Sequence, residues 1–187
     1  MPTARQDKRS RLIQTAMTLA YRQGFRKTTL ADIAEASRVP LGNVYYYFKT
    51  KDDIGEAILE QRMLEFRALS EKWNLAGSPK ERLQAFVQMT LNNREMLARG
   101  GCPTGTLCAE LQKEGGVLAK KAGPLLGELL AWIEAQFKGL GKGKDSAGLA
   151  VHLLSALQGV SLLAHSLGDP GLVTLEAVRL KQWIGTL

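Results

Sequence analysis

TTLADIAEASRVPLGNVYYYFKTK, residues Thr28 to Lys51, is the stretch that decides the fold. Thr29 followed three residues later by Asp32 has capping-box spacing, so a short helix is predicted to start near Leu30. Pro40 suits the first turn of another short helix, where its missing N–H costs nothing. Few residues around Arg38 remain for the turn between them. Such a pair is a helix-turn-helix, whose second helix enters the DNA major groove. Ile33, Ala34, Val39, Val44 and Phe48 are the expected small core that fixes the angle between the two helices. Three consecutive helical positions spread over about 200°, so Tyr45, Tyr46 and Tyr47 cannot all be buried. Tyr47 is expected to pack inward or against the domain junction, and the other two to face DNA.

The charge pattern points the same way. Residues 1–51 carry ten Lys or Arg, from Arg5 to Lys51, against Asp7, Asp32 and Glu35. Residues 52–187 hold fifteen of each sign, so the whole formal charge of +7 sits on the segment with the motif. A polyanion is the natural partner of that segment. The polar, basic N-terminus lacks the apolar region of an export signal, and no uninterrupted apolar run approaches the roughly 18–20 residues of a membrane span. Cys102 and Cys108 make no disulfide framework. A cytoplasmic protein without membrane partners is expected.

Outward from the motif, apolar residues recur at helical spacing almost everywhere and no alternating strand pattern stands out. Leu12, Ile13, Ala16, Met17, Leu19 and Ala20 define a first helix ended by Gly24. Thr50-Lys-Asp-Asp53 opens a longer fourth helix, and in Ala76-Gly-Ser-Pro-Lys-Glu81 Ser78 caps a fifth over about 79–98. A short sixth helix follows Arg99-Gly-Gly-Cys-Pro103. A seventh runs to Lys138, bent or restarted at Gly123-Pro124. After the Lys138–Lys144 loop come a long apolar helix over 145–167 and a last one to about Ile184. The fold class is therefore all-α, with nine helices.

This order of elements, with Thr28-Thr29, Asp32-Ile33-Ala34, the Gly42–Phe48 run and Lys51, resembles the TetR family of transcriptional regulators. The match is specific over about residues 9–55. The resemblance implies a two-domain architecture: a helix-turn-helix domain over 1–50, a connector helix over about 51–74, and a ligand-binding and dimerisation domain over 51–187. It also implies that Leu41, Gly42 and Asn43 face the major groove. Thr28, Thr29, Arg38, Pro40, Tyr45, Tyr46 and Lys51 complete the DNA-binding set, the tyrosines, Thr29 and Lys51 as phosphate contacts. Many family members carry Gly where this chain has Arg38. If that position needs a positive φ, Arg costs roughly 1 kcal/mol there.

The resemblance further implies an effector cavity in the larger domain and dimerisation through the last two helices. Candidates for the sensor are Cys102, Phe86, Met89, Trp132 and His152. Gly101-Cys-Pro-Thr-Gly-Thr-Leu-Cys-Ala-Glu-Leu111 is similar to a pattern in one branch of the family, some members of which respond to electrophiles or oxidants. Cys102 is accordingly either a reactive, pocket-lining thiol or a small buried hydrophobe. Leu153, Leu157, Val160 and Ala164, with Leu175 and Val178, are the expected dimer interface. His152 and His165, thirteen residues apart on one helix, point about 220° apart, so no metal site is expected, and no cofactor.

The function implied is a ligand-responsive transcriptional repressor. It would bind a palindromic operator as a homodimer and be released by a small-molecule or electrophile signal. A constitutive DNA-binding or architectural protein is the alternative. An all-helical enzyme is a remoter one, since no nucleophile-base spacing, phosphate loop or carboxylate pair argues for catalysis.

Overall fold

The computed structural model describes residues 4–75 and 77–187. Ala76 lies outside the described residues, as does the side chain of Arg5. The chain forms two compact units, residues 1–64 with 107–125, and residues 65–106 with 126–187.

The first unit is built on α1 (Ala4–Gln23), α2 (Leu30–Ser37) and α3 (Leu41–Tyr47). Both bonds of the α2 capping box form. The Thr29 N–H donates to Asp32 Oδ2 at 2.8 Å and the Asp32 N–H to Thr29 Oγ1 at 3.1 Å. The turn after α2 is made by Arg38 in the left-handed region, at φ 55° and ψ 37°. It is the one non-glycine residue of positive φ among the described residues. The five expected core residues are all buried: Ile33, Ala34, Val39, Val44 and Phe48. Next comes α4 (Lys51–Asn74), whose Asp53 carboxylate accepts from the Lys49 and Thr50 N–H groups at 2.7 and 2.9 Å. Gly55 inside α4 marks a close approach. A Cβ there would stand 2.7 Å from Leu118 Cδ1 and 2.8 Å from Phe25 Cζ.

The second unit takes the remainder of α4 with α5 (Pro79–Asn92) and α6 (Arg94–Gly100). α7 (Pro103–Glu114) and α8 (Gly116–Gly139) each contribute to both units, and α9 (Ser146–Leu167) and α10 (Gly171–Thr186) lie in the second alone. Its main core joins Phe86, Ile133, Phe137, Leu153, Leu157 and Ile184, and a smaller cluster joins Leu97, Val160, Ala164 and Val173.

Two boundaries differ from expectation. The helix expected over 79–98 is interrupted at Asn93, whose Nδ2 donates to the Met89 carbonyl at 2.8 Å. The same carbonyl also accepts from the Asn93 backbone N–H at 3.2 Å, and the chain turns there without Gly or Pro. Counted with α5 and α6 as one interrupted helix, the described residues give nine helices and no strand. α8 runs through Pro124 without restarting. Lys120 and Pro124 are both exposed, so water can satisfy the carbonyl that the proline leaves unbonded.

The segment Gly143–Leu167 is long and apolar enough, by length and composition, to cross a membrane, although no such segment was evident in the sequence. Leu153, Leu157 and Ala164 on it are buried in the unit's own core, as in the core helix of a globular domain.

The helix caps make stability sensitive to acid. The carboxyls of Asp32, Asp53 and Glu81 are held below the usual carboxylate range, chiefly by backbone N–H donors from Thr29, Thr50 and Ser78. Folding depresses these values, so the stabilisation is complete above the unfolded carboxylate range, near pH 4, and is lost as pH falls through the lowered values. The triple variant D32N/D53N/E81Q should melt at a lower temperature at pH 7 and lose less on acidification from pH 5 to 3 than the parent. Parallel melting curves for the two proteins across that range would remove the caps as the cause.

Candidate DNA interface and sensor segment

The turn at Arg38 aims α3 outward. Its backbone N–H donates to the Glu35 carbonyl at 3.1 Å, which closes α2 and leaves the guanidinium side exposed. Pro40, at φ −52°, leads into α3. On α3, Val44 is fully buried while Leu41, Gly42 and Asn43 are exposed. No atom lies within 4 Å of where a Gly42 Cβ would stand. Tyr45 and Tyr46 are 46% and 56% exposed, whereas Tyr47 is half-buried and meets Tyr46 edge to face at 5.2 Å. The tyrosines divide as their helical spacing requires.

Two members of the expected DNA-binding set are committed within the unit. Thr28 is buried, and its hydroxyl donates to the Gly24 carbonyl at 2.9 Å, so it holds the loop before α2. Lys51 Nζ donates to the Arg26 carbonyl at 2.6 Å and lies 4.8 Å above the Phe25 ring. Thr29 is occupied as the α2 cap, with its side chain exposed. The sequence could not signal the Thr28 and Lys51 roles, because both depend on the path of the loop at 24–27.

The sensor candidates fall in three places. Phe86 and Trp132 belong to an aromatic cluster with Trp73, at centroid distances of 5.2 to 5.8 Å, and Met89 packs against the same core. Trp132 also donates from Nε1 to Asn74 Oδ1 at 3.2 Å. Cys102 is half-buried, and its sulfur accepts from the Gly105 N–H and from Gln158 Nε2, each at 3.3 Å. Both cysteines are free thiols. His152 is exposed and packs edge-on against Trp183 at 5.0 Å. His165 has its Nδ1 3.3 Å from the Ala98 carbonyl.

The expected dimer residues divide by face. Leu153, Leu157, Val160 and Ala164 are buried in the unit's own core and have little surface left for a partner. Leu175 and Val178 on α10 are 52% and 45% exposed. On α9 the exposed apolar residues are instead Val151, Leu162, Leu163 and Leu167. The leucine-rich sequence marked a helix apolar all round without saying which side faces its own core.

An outward-facing α3 on a helix-turn-helix, carried by an all-α chain, is an arrangement that helical DNA-binding regulators use. Residues 12–58 match the family described as bacterial regulatory proteins, tetR family. The transcriptional regulator AcuR of Cereibacter sphaeroides is 33% identical over 124 residues, covering 65% of this chain and 55% of AcuR. The HTH-type transcriptional repressor NemR of Escherichia coli is 30% identical over 115 residues, covering 58% of this chain and 54% of NemR. The chain thus spans about half the length of the curated relatives it matches. The fold is shared more widely. A TetR transcriptional regulator from Legionella pneumophila superposes with a TM-score of 0.85 at 20% identity, covering 97% of each chain. The reduced form of E. coli NemR gives 0.79 at 22% identity, covering 94% of this chain and 96% of NemR. The chain is thus similar to TetR-family transcriptional regulators, in sequence over the helix-turn-helix and beyond, and in fold over nearly its whole length.

Proposed function

We propose that this protein is a ligand-responsive repressor that binds a palindromic operator as a homodimer. The observation that carries the reading is the outer face of α3. Leu41, Gly42 and Asn43 stand exposed together at its start, flanked by Tyr45, Tyr46 and Arg38 on the segment that holds all the net charge. Side chains at the start of a recognition helix reach base edges, while tyrosine and arginine hold phosphates and set the register.

In this reading residues 1–50 are the DNA-binding domain, the helix over 51–74 is the connector, and residues 51–187 bind the effector and the second subunit. The aromatic cluster and Cys102 suit a small apolar or electrophilic effector. The exposed face of α9 and α10 would seat a second copy about a twofold axis. Effector binding would shift the population of head positions, so that the two recognition helices no longer match successive major grooves about 34 Å apart. Such a protein would act in the cytoplasm.

The test is selection of bound duplexes from a random DNA pool by the purified protein at near-physiological salt. Enrichment of one inverted repeat is expected. Binding that enriches nothing and merely tracks salt concentration would overturn the reading.

A further inference from the structure

The loop between α1 and α2 is held by a side chain that is far away in sequence. Glu110 on α7 accepts from the Phe25 N–H at 2.9 Å through Oε2 and from the Arg26 N–H at 2.8 Å through Oε1. The backbone leaves room for this. Gly24 has φ +88°, and a Cβ there would stand only 3.1 Å from Glu110 Oε1. The loop's opposite polarity is also engaged, because the Arg26 carbonyl accepts from Lys51 Nζ. A carboxylate on two N–H groups and an ammonium on the carbonyl make charge-assisted bonds, roughly twice as strong as neutral ones.

The held segment leads straight into the helix-turn-helix. Phe25 is buried, the Thr28 hydroxyl ties back to Gly24, and the next residue, Thr29, caps α2. A change in the path of residues 24–27 therefore changes where α2 starts, and with it the aim of α3. α7 begins one residue after Cys102, so the helix that carries the clamp also begins at the candidate sensor segment.

We infer that Glu110 is a positioning residue for DNA binding, which fixes the α1–α2 loop and ties the aim of α3 to the position of α7. The inference rests on the DNA-binding reading above. It has a sign that net charge alone does not share. Neutralising Glu110 makes the protein more basic, which by electrostatics tightens its grip on any duplex. Loss of positioning weakens its grip on the operator.

The experiment compares the parent with E110Q, which keeps the side chain's size, and with E114Q, which removes the same charge one turn further along α7. Each is assayed against the selected duplex and a random duplex at a temperature where all three proteins are folded. Hydrogen exchange at the Phe25 and Arg26 amides is followed in parallel. For E110Q the two amides should lose protection and operator affinity should fall about tenfold, as for loss of a charged hydrogen bond. Affinity for the random duplex should hold or rise, and E114Q should keep the parent's preference. If E110Q frees the amides yet keeps the operator-to-random ratio of the parent, the clamp is structural only and the inference is wrong. A parent that prefers no duplex overturns the DNA-binding reading itself, and this inference with it. E110A is a second variant, expected to show the larger loss; if it fails to fold, E110Q still decides.

Discussion

Replacing Leu162 and Leu163 together by glutamate should give folded monomers that bind the selected operator about a hundredfold or more weakly, since linked half-sites gain roughly 10²–10⁴ in avidity. Leu162 is 64% and Leu163 54% exposed, so the subunit itself loses little when they are charged. In the proposed dimer both would be buried, and a carboxylate taken out of water without a partner is strongly unfavourable. Single exposed leucines are ordinary, but Val151, Leu162, Leu163 and Leu167 all lie on one helix. Exposed apolar surface on that scale is a candidate for burial by a second subunit. The measurements are sedimentation velocity and operator binding on the same preparations. A variant that stays dimeric and binds as the parent does would show that the subunits do not meet on this face. Leu157→Ala is the contrasting case. Leu157 is 3% exposed, so its truncation should lower stability without separating subunits.

Phe137→Ala should be the most destabilising single truncation in the second unit, at about 3–5 kcal/mol. Phe137 is fully buried, packs in the core that α5, α8, α9 and α10 share, and meets Trp183 at 5.8 Å. Its loss removes the apolar transfer energy of the ring and leaves a cavity, because helices crossing from several directions cannot all collapse into it. At about 2–4 °C per kcal/mol for a chain of this size, the melting temperature should fall by roughly 6–20 °C. The melt must be run at one protein concentration, because any dimerisation makes it concentration-dependent. A fall of no more than a couple of degrees would mean the core rearranges around the gap.

Local chemistry explains how much of this was legible in the sequence. The capping pairs Thr29–Asp32, Thr50–Asp53 and Ser78–Glu81 were readable because each needs only a three-residue spacing, and all three formed. The positive φ at Arg38 was legible only as a condition, suggested by the glycine that many family members carry there, and the turn does require it. The break at Asn93 was not readable, since neither Gly nor Pro marks it. The face of α9 was illegible for a different reason: a helix that is apolar all round gives its periodicity no inside and no outside. The candidate site divides likewise. Exposure of Tyr45 and Tyr46 follows from helical spacing, whereas that of Leu41, Gly42 and Asn43 was expected from the family resemblance. The capture of Lys51 by Arg26, and of Phe25 by Glu110, joins residues 25 and 85 positions apart. No short motif records such distances.

The make-up of the first unit has a consequence for protein engineering and for descent by recombination. Residues 107–125 complete it, and they arrive some forty residues after residue 64. A fragment ending at residue 50 or 64 would lose Glu110, and also Leu118 beside Gly55. A chimera that splices only this head onto another helical domain would sever the same joints, unless the recipient's own helix supplied a carboxylate at the right height. Exchange of heads should therefore succeed between chains that keep such a glutamate, and fail between chains that do not, however similar their first fifty residues.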